Sequence, residues 1–366
     1  MKHVIFVRSN PVNPDPRVEK EAQVLVEAGY KVTVLAWNRE GEKMIIQNDS
    51  DYKIDRFSFR APYGSIFLIF HLFIWWGYEF FYLIKSNFDI VHCCDFDTVI
   101  PGLIVCKLKK KKIVYDIFDF YADCLPKKIP HFVRKIVAFL EKRISNLVDA
   151  NIIVDECRLK QFDNKLKNHV VIYNTPSKIY PPSKRDKKKN FTLFYAGILD
   201  LSRGFESVIK AIDSIDDINL IIAGYGSDEG DIKFMIKNKK NIKFLGKLSY
   251  NEVISITLES DCLFALYDPS IPNHVYSSPN KLFEAMICGK PIIVTKGTNM
   301  AEIVKRENCG LIIEYNNIDQ LRNTIIRLKN NLILANSLGK KGKVAYEKRY
   351  NWGIMKKRLI NIYGAL

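Results

Sequence analysis

At 366 residues, 48% hydrophobic and 26% charged, the chain has a globular composition and enough length for two domains of about 150 to 200 residues each. Its 8 cysteines show no CxxC spacing and most sit inside apolar runs, which argues against a structural zinc site or a disulfide framework and for a reducing compartment. The formal net charge of +16 attracts phosphates of any kind, so nucleic acid, anionic lipid and pyrophosphate-bearing substrates all come into view.

The opening run MKHVIFVRSN passes directly into a patterned strand and helix rather than reading as a signal peptide, so a cytoplasmic protein is expected. Strands are expected near His3 to Arg8, Lys31 to Trp37, Tyr52 to Phe59, Ile90 to Cys93, Lys112 to Tyr115, Ala150 to Val154 and Val170 to Tyr173. Helices fill most of the intervals. The clearest runs from Pro16 to Ala28, with Asp15 as its cap, Pro16 at the first position and Gly29 as its stop. Alternation of this kind implies parallel strands joined by helical crossovers.

From Ile66 to Ile84 the chain reads IFLIFHLFIWWGYEFFYLI, close to the length of a membrane span but rich in aromatics that favour the headgroup boundary. Two readings stay open. One is an interfacial helix, with Trp75 and Trp76 touching lipid, assisted by the basic runs Lys107 to Lys112, Lys127 to Lys135, Glu141 to Arg143 and Ser183 to Lys189. The other is a helix buried within a Rossmann half. Aromatics gathered in one apolar run, rather than interleaved with basic residues, argue against nucleic acid as the partner.

Residues 177–190, Pro/Ser-rich around a charge run, read as a linker between a domain over 1–176 and a second over 191–350. The pattern then restarts, with strands near Thr192 to Ala196, Asn219 to Ala223, Ile242 to Leu245, Cys262 to Tyr267, Pro291 to Thr295 and Leu311 to Ile313. The tail from Asn331 reads as helix broken near Asn351, and residues 351–366 are expected to pack back on the first domain. The fold class is therefore α/β: two Rossmann-like, doubly wound parallel-sheet domains expected to face a central cleft.

Within the second half, SPNKLFEAMICGKPIIVT (Ser278 to Thr295) is the most informative stretch. Ser278 can cap a helix, Pro279 suits its first position, and Gly289 with Pro291 ends it. Lys281 and Glu284, three apart, share a face near the positive end of that helix. A helix N-terminus with a spare cation seats a diphosphate, and a carboxylate can accept two hydrogen bonds from a ribose diol. The combination points to a nucleotide-diphosphate-sugar.

These residues, with PDPRVEKEAQVLVEAGYKVTVLAW, DIVHCCDFDTVIPG, IVYDIFDFYAD, IYNTP, FYAGILDLSRGFESVIKA, LIIAGYGSDEG and IKFLGKLS, resemble the retaining glycosyltransferase family four of the GT-B fold (glycosyl transferases group 1). The resemblance implies a UDP- or GDP-sugar donor bound by Gly197, Arg203, Gly224, Tyr225, Gly226, Leu245, Gly246, Ser278, Asn280, Lys281, Leu282 and Glu284. Gly197 lets backbone approach the phosphates, while Arg203 stands where the family usually has a phosphate-binding Lys. Arg203 and Lys281 would neutralise the departing diphosphate, and Glu284 would hold the ribose. Tyr276 replaces a frequent Glu, Ile198 a frequent Arg, and Phe118 the usual acceptor-side His, leaving Asp116 and Asp119 as polar candidates.

The implied activity is a metal-independent hexosyl transfer without a cofactor, onto a glycan or polyprenyl-linked acceptor at the inner face of the membrane. With no obvious nucleophile, transfer on the front face requires leaving-group stabilisation above all. Asp95 and Asp119 are candidates to orient the acceptor hydroxyl and Arg17 to meet an acceptor phosphate. The string Asp95-Phe96-Asp97 also matches the DxD of metal-dependent transferases, whose fold lacks a second complete Rossmann half. A nucleotide-sugar 2-epimerase of the same architecture is the alternative, and would convert the donor without an acceptor.

Overall fold

The computed structural model describes residues 1–41, 51–62, 68–125, 129–177 and 190–366. Residues 178–189 of the expected linker, like Ile66, Phe67, Lys127 and Lys128, lie outside the described residues. The chain divides into two compact units: Met1–Tyr173 together with Gly353–Leu366, and Asn174–Trp352.

In the first unit the strands are β1 (His3–Arg8), β2 (Lys31–Asn38), β3 (Lys53–Ser58), β4 (Ile90–Cys94), β5 (Lys112–Ile117), β6 (Ala150–Ile153) and β7 (His169–Val171). All pair in parallel, in the order β3-β2-β1-β4-β5-β6-β7. Central strands such as β1, whose Val4, Ile5, Phe6 and Val7 are buried, carry unbroken apolar runs because helices cover both faces. Those helices are α1 (Pro16–Glu27), α2 (Leu68–Lys85), α3 (Phe96–Lys109), the single turn α4 (Tyr121–Cys124) and α5 (His131–Ser145). Helix α1 begins as its sequence dictates, with the Asp15 carboxylate accepting from the Val18 amide and Pro16 at the first position.

Arg17, a proposed acceptor-phosphate ligand, is instead locked inside this unit. Its guanidinium donates to both oxygens of Asp116 (2.9 and 2.7 Å) and to the Ile172 carbonyl (2.8 Å), and lies 3.2 Å from Glu21. His92 Nε2 stands 3.5 Å from Asp116 and 3.6 Å from Glu21, while its Nδ1 pairs with the Tyr363 hydroxyl at 2.6 Å. Burial opposes charge on Asp116, but Arg17 and His92 overcome it and hold its carboxyl low. Burial and the nearby Asp116 push Glu21 up, against the pull of Arg17. Glu21, His92 and Asp116 gather their donor atoms within 4.8 Å, as metal ligands do. The Arg17 cation already lies against both carboxylates.

Trp75 is a second correction. It is wholly buried and stacks on Trp37 with ring centres 5.5 Å apart, so it belongs to the core. Trp76 is half-buried and donates to the Asp97 carbonyl at 2.8 Å. Helix α2 buries Trp75, Glu79 and Leu83 on one stripe, as the buried-helix reading expects of that face, and exposes Phe70, Phe73, Ile74 and Phe81 on another.

The second unit repeats the plan with β8 (Phe191–Ile198), β9 (Ile218–Tyr225), β10 (Ile242–Phe244), β11 (Cys262–Ala265), β12 (Ile292–Thr295) and β13 (Gly310–Ile313). These six are parallel in the order β10-β9-β8-β11-β12-β13. Its helices include α6 (Phe205–Ile212), α7 (Glu229–Ile236), α8 (Tyr250–Glu259), α9 (Pro272–Val275), α10 (Asn280–Ile287), α11 (Asn299–Glu307), α12 (Ile318–Asn330) and α13 (Leu332–Ala345). Tyr195, Phe205 and Phe264 centre the core between α6 and the sheet. After an extended Asn351, α14 (Trp352–Gly364) carries Met355 and Tyr363 into the first unit, where Met355 accepts from the Tyr173 amide.

Candidate functional site

In both sheets the strand order reverses beside the first strand, between β1 and β4 and between β8 and β11, and a crevice at the carboxyl ends opens at such a point. In the second unit that place is built largely of the residues singled out from sequence.

Its floor is three glycine turns. Gly197 (φ +146°), next to last in β8, lies opposite Gly224 (φ +138°) on β9, and the Gly224 amide donates to the Gly246 carbonyl beyond β10 at 2.8 Å. A Cβ on Gly224 would fall 1.8 Å from the Gly197 carbonyl oxygen, and one on Gly226 would fall 2.1 Å from that of Leu199. Only glycine allows the strand ends to approach this closely. Tyr225 between them is exposed, with the Lys247 Nζ 5.4 Å from its ring centre. Leu245 donates its amide to the Ile222 carbonyl, extending the β10 edge towards Gly246.

The cations stand over this floor. Lys281, on the first turn of α10, places Nζ 3.9 Å from the centre of the Tyr195 ring and 3.3 Å from the Tyr267 hydroxyl. A Cβ on Gly197 would come within 3.2 Å of the same Nζ. Arg203, on the turn Leu201–Arg203 after β8, donates to the Tyr267 hydroxyl at 2.8 Å and lies 4.7 Å from the centre of that ring. Tyr267 thus ties both cations together. The Arg203 Nε and the Nδ1 of His274, whose ring lies 4.9 Å from that of Tyr267, are buried without a hydrogen-bond partner.

Burial, reinforced by the positive Arg203, pulls the Lys281 amine well below its usual range, while Glu284 pulls the other way. Glu284 itself is buried one turn further along α10. The pair is therefore no solvated surface salt bridge.

Details of the α10 start differ from expectation. The helix begins at Asn280, with Pro279 as an uncapped first flanking residue, because the Ser278 hydroxyl is engaged by the Asn299 amide at 2.8 Å. Asn280 is half-buried at the helix tip. The Leu282 side chain is fully in the core, which leaves it no side-chain route to a ligand. Tyr195, Tyr267 and His274 were not singled out from sequence, since each reads there as part of, or just beyond, an apolar strand or short turn.

At the reversal in the first unit, Arg8 at the end of β1 pairs with Asp95 after β4 and with Asp15 at 2.9 Å. Asp95 (φ +69°) also accepts from the Phe118 and Asp119 amides at 3.0 and 3.4 Å. Burial pushes its carboxyl up to about 7, with Arg8 opposing and Asp97 and Asp119 reinforcing the rise. Asp119 is half-exposed and paired with Arg158 at 2.5 Å. Phe118 lies between Arg8 and Arg17, 4.3 and 4.9 Å from their guanidinium carbons. Asp116 faces inward to Arg17 and is fully buried, whereas Asp95 and Asp119 keep part of their side chains exposed.

Residues 177–345 match the family model "Glycosyl transferases group 1". An uncharacterized glycosyltransferase of Methanocaldococcus jannaschii is 33% identical over 207 residues, 56% of each chain. The GDP-mannose-dependent monoacylated alpha-(1-6)-phosphatidylinositol monomannoside mannosyltransferase of Corynebacterium glutamicum is 28% identical over 249 residues, covering 60% of this chain and 63% of that one. The matches thus span 56% and 63% of these two relatives' lengths. Among solved structures, the sucrose-phosphate synthase of Thermosynechococcus elongatus superposes with a TM-score of 0.81 at 16% identity, covering 100% of this chain and 99% of that one. The fold is thus that of the GT-B glycosyltransferases, and the family these findings support, through residues 177–345, is glycosyl transferases group 1.

Proposed function

We propose that the second unit binds a UDP- or GDP-sugar and that the chain transfers its hexosyl group, with retention in the manner of family four, to a glycan acceptor carried on a lipid. The observation that carries this reading is the convergence of Lys281 and Arg203 on Tyr267 above the Gly197-Gly224-Gly246 floor. Two cations beside closely approaching backbone suit a pyrophosphate whose negative charge grows as the sugar departs. The buried Glu284 suits the ribose diol, and the unpartnered Arg203 Nε and His274 Nδ1 supply polar groups for the ligand to meet.

Chemically, the sugar–phosphate bond breaks as the acceptor oxygen approaches the same face of the sugar, and the departing phosphate oxygen takes up the acceptor proton. Lys281 and Arg203 carry the electrostatic load of that step, and no protein nucleophile is needed. In the first unit, Asp95 and Asp119 are the groups we assign to orienting an acceptor hydroxyl. The corynebacterial relative, named for a phosphatidylinositol mannoside, supports a lipid acceptor and hence work at the inner face of the cell membrane, in cell-envelope glycan assembly.

Incubating the protein with radiolabelled UDP- and GDP-sugars and a membrane lipid extract tests the reading. Label should move into the lipid fraction and stay in the donor for Lys281→Ala. Conversion of the donor to its epimer without any acceptor would replace the transferase reading by the epimerase one.

A further inference from the structure

The three helices α2, α3 and α5 lie side by side on one face of the first unit's sheet, with α3 packed against both of the others. Helices α2 and α3 send an inner stripe into the core and α5 turns Glu141 and Ser145 inward, while each leaves an outer stripe exposed among the described residues. Outward stand Phe73 (61% exposed) and Phe81 (63%) on α2, Leu108 (65%) on α3, and Phe132 (65%), Ile136 and Phe139 on α5. Spacings of seven between Phe132 and Phe139, and eight between Phe73 and Phe81, keep these residues on continuous apolar stripes. Most of the large exposed apolar side chains among the described residues lie on this one layer.

Charge decides what covers it. The helices contain three carboxylates, Glu79, Asp97 and Glu141, and all three are buried. The exposed charged groups of these helices, with Lys110 just beyond the end of α3, are all cationic: Lys85, Lys107, Lys110, Lys135 and Arg143. Helices that each cross from one parallel strand to the next run in the same direction, so Lys85, Lys107 and Arg143 gather at a common end. A second copy of this chain would set these cations against their own kind, with no exposed carboxylate on the three helices themselves to neutralise them. An anionic lipid surface offers both what the stripes and what the cations require. Among the described residues no helix is long and apolar enough to cross a membrane.

We infer that the α2-α3-α5 face is a membrane-docking surface, seating Phe73, Phe81, Leu108, Phe132 and Phe139 at the headgroup boundary of an anionic leaflet. For its purpose it rests on the lipid-linked acceptor reading, and for its geometry it does not. The residues responsible are these exposed ones, and Trp75 is excluded.

Sedimentation with phosphatidylglycerol and with phosphatidylcholine vesicles tests this. Wild-type protein should pellet with the anionic vesicles and be released by salt. The double variant Phe81→Ser/Phe139→Ser should lose binding by about tenfold or more, and Lys107→Glu/Lys110→Glu should lose it on anionic vesicles while gaining nothing on neutral ones. Melting temperature and nucleoside-diphosphate binding in the same samples check the fold, and both should be unchanged. Wild-type protein remaining in the supernatant with anionic vesicles would overturn the inference. A concentration-dependent dimer abolished by Phe81→Ser/Phe139→Ser would also overturn it, in favour of a second copy. Vesicle binding without any affinity for UDP, GDP or their sugars would sink the transferase reading and leave the docking surface standing.

Discussion

The Lys281 ammonium nitrogen sits 3.9 Å above the Tyr195 ring, on the first turn of a helix whose next turn carries a buried glutamate. A lysine in such a place is held in readiness for an anion. Burial and Arg203 depress its pKa, and the diphosphate of a donor would restore it.

Donor binding should therefore take up a proton at pH values between the depressed and the ordinary lysine pKa. Titration calorimetry in buffers of different ionisation heat reads that uptake directly, and affinity should fall as pH rises through the depressed value. The sign for folding is the reverse: below the depressed pKa the buried charge is present and unfavourable, so stability rises with pH across the same interval. Binding heats independent of buffer would contradict the assignment.

Removing either cation should be felt in the chemical step. Lys281→Ala and Arg203→Ala are each expected to lower kcat by about 100-fold to 1000-fold, the scale for one preorganised charge-stabilising donor. Glu284→Ala should nearly abolish transfer through lost donor affinity. Tyr267→Phe, which removes the oxygen shared by both cations, should lower kcat/KM by roughly tenfold or more, consistent with about 1.5 to 3 kcal/mol for hydrogen bonds to charged groups. Steady-state kinetics, with circular dichroism to show an intact fold, checks all four.

Much of this arrangement was legible from residue order alone. The strand of β1 and the capped helix α1 follow directly from His3–Arg8 and from Asp15-Pro16, because period and caps are local signals. The placing of Lys281 and Glu284 on one helix face was legible for the same reason, whereas the glycine turns came into view only through the family resemblance. Tyr267 was not legible, since its role depends on Arg203 and Lys281, 64 and 14 residues away, meeting at one hydroxyl. Trp75 and Arg17 were misread because a tryptophan in an aromatic run and an arginine after a proline look exposed until tertiary partners, Trp37 and Asp116, are known. Which of the two stripes of α2 faced inward was likewise invisible in a run that is apolar all round.

Arg17 now makes a stability prediction rather than a catalytic one. Arg17→Met leaves Asp116 and Glu21 buried without their cation and should destabilise the first unit by about 3 to 5 kcal/mol. Tyr363→Phe, which leaves the buried His92 Nδ1 unpaired, should lose about 1 to 3 kcal/mol. Chemical denaturation monitored in each variant gives both values. An Arg17→Met protein of wild-type stability with weakened acceptor binding would return Arg17 to the acceptor role.

The most direct measurement of the central claim is calorimetric titration of wild-type, Lys281→Ala and Arg203→Ala proteins with UDP, GDP and their sugars. The account predicts saturable one-to-one binding of at least one nucleoside diphosphate to the wild type, weakened by about tenfold or more in each variant. Equal binding by all three proteins, or none by the wild type, would contradict it.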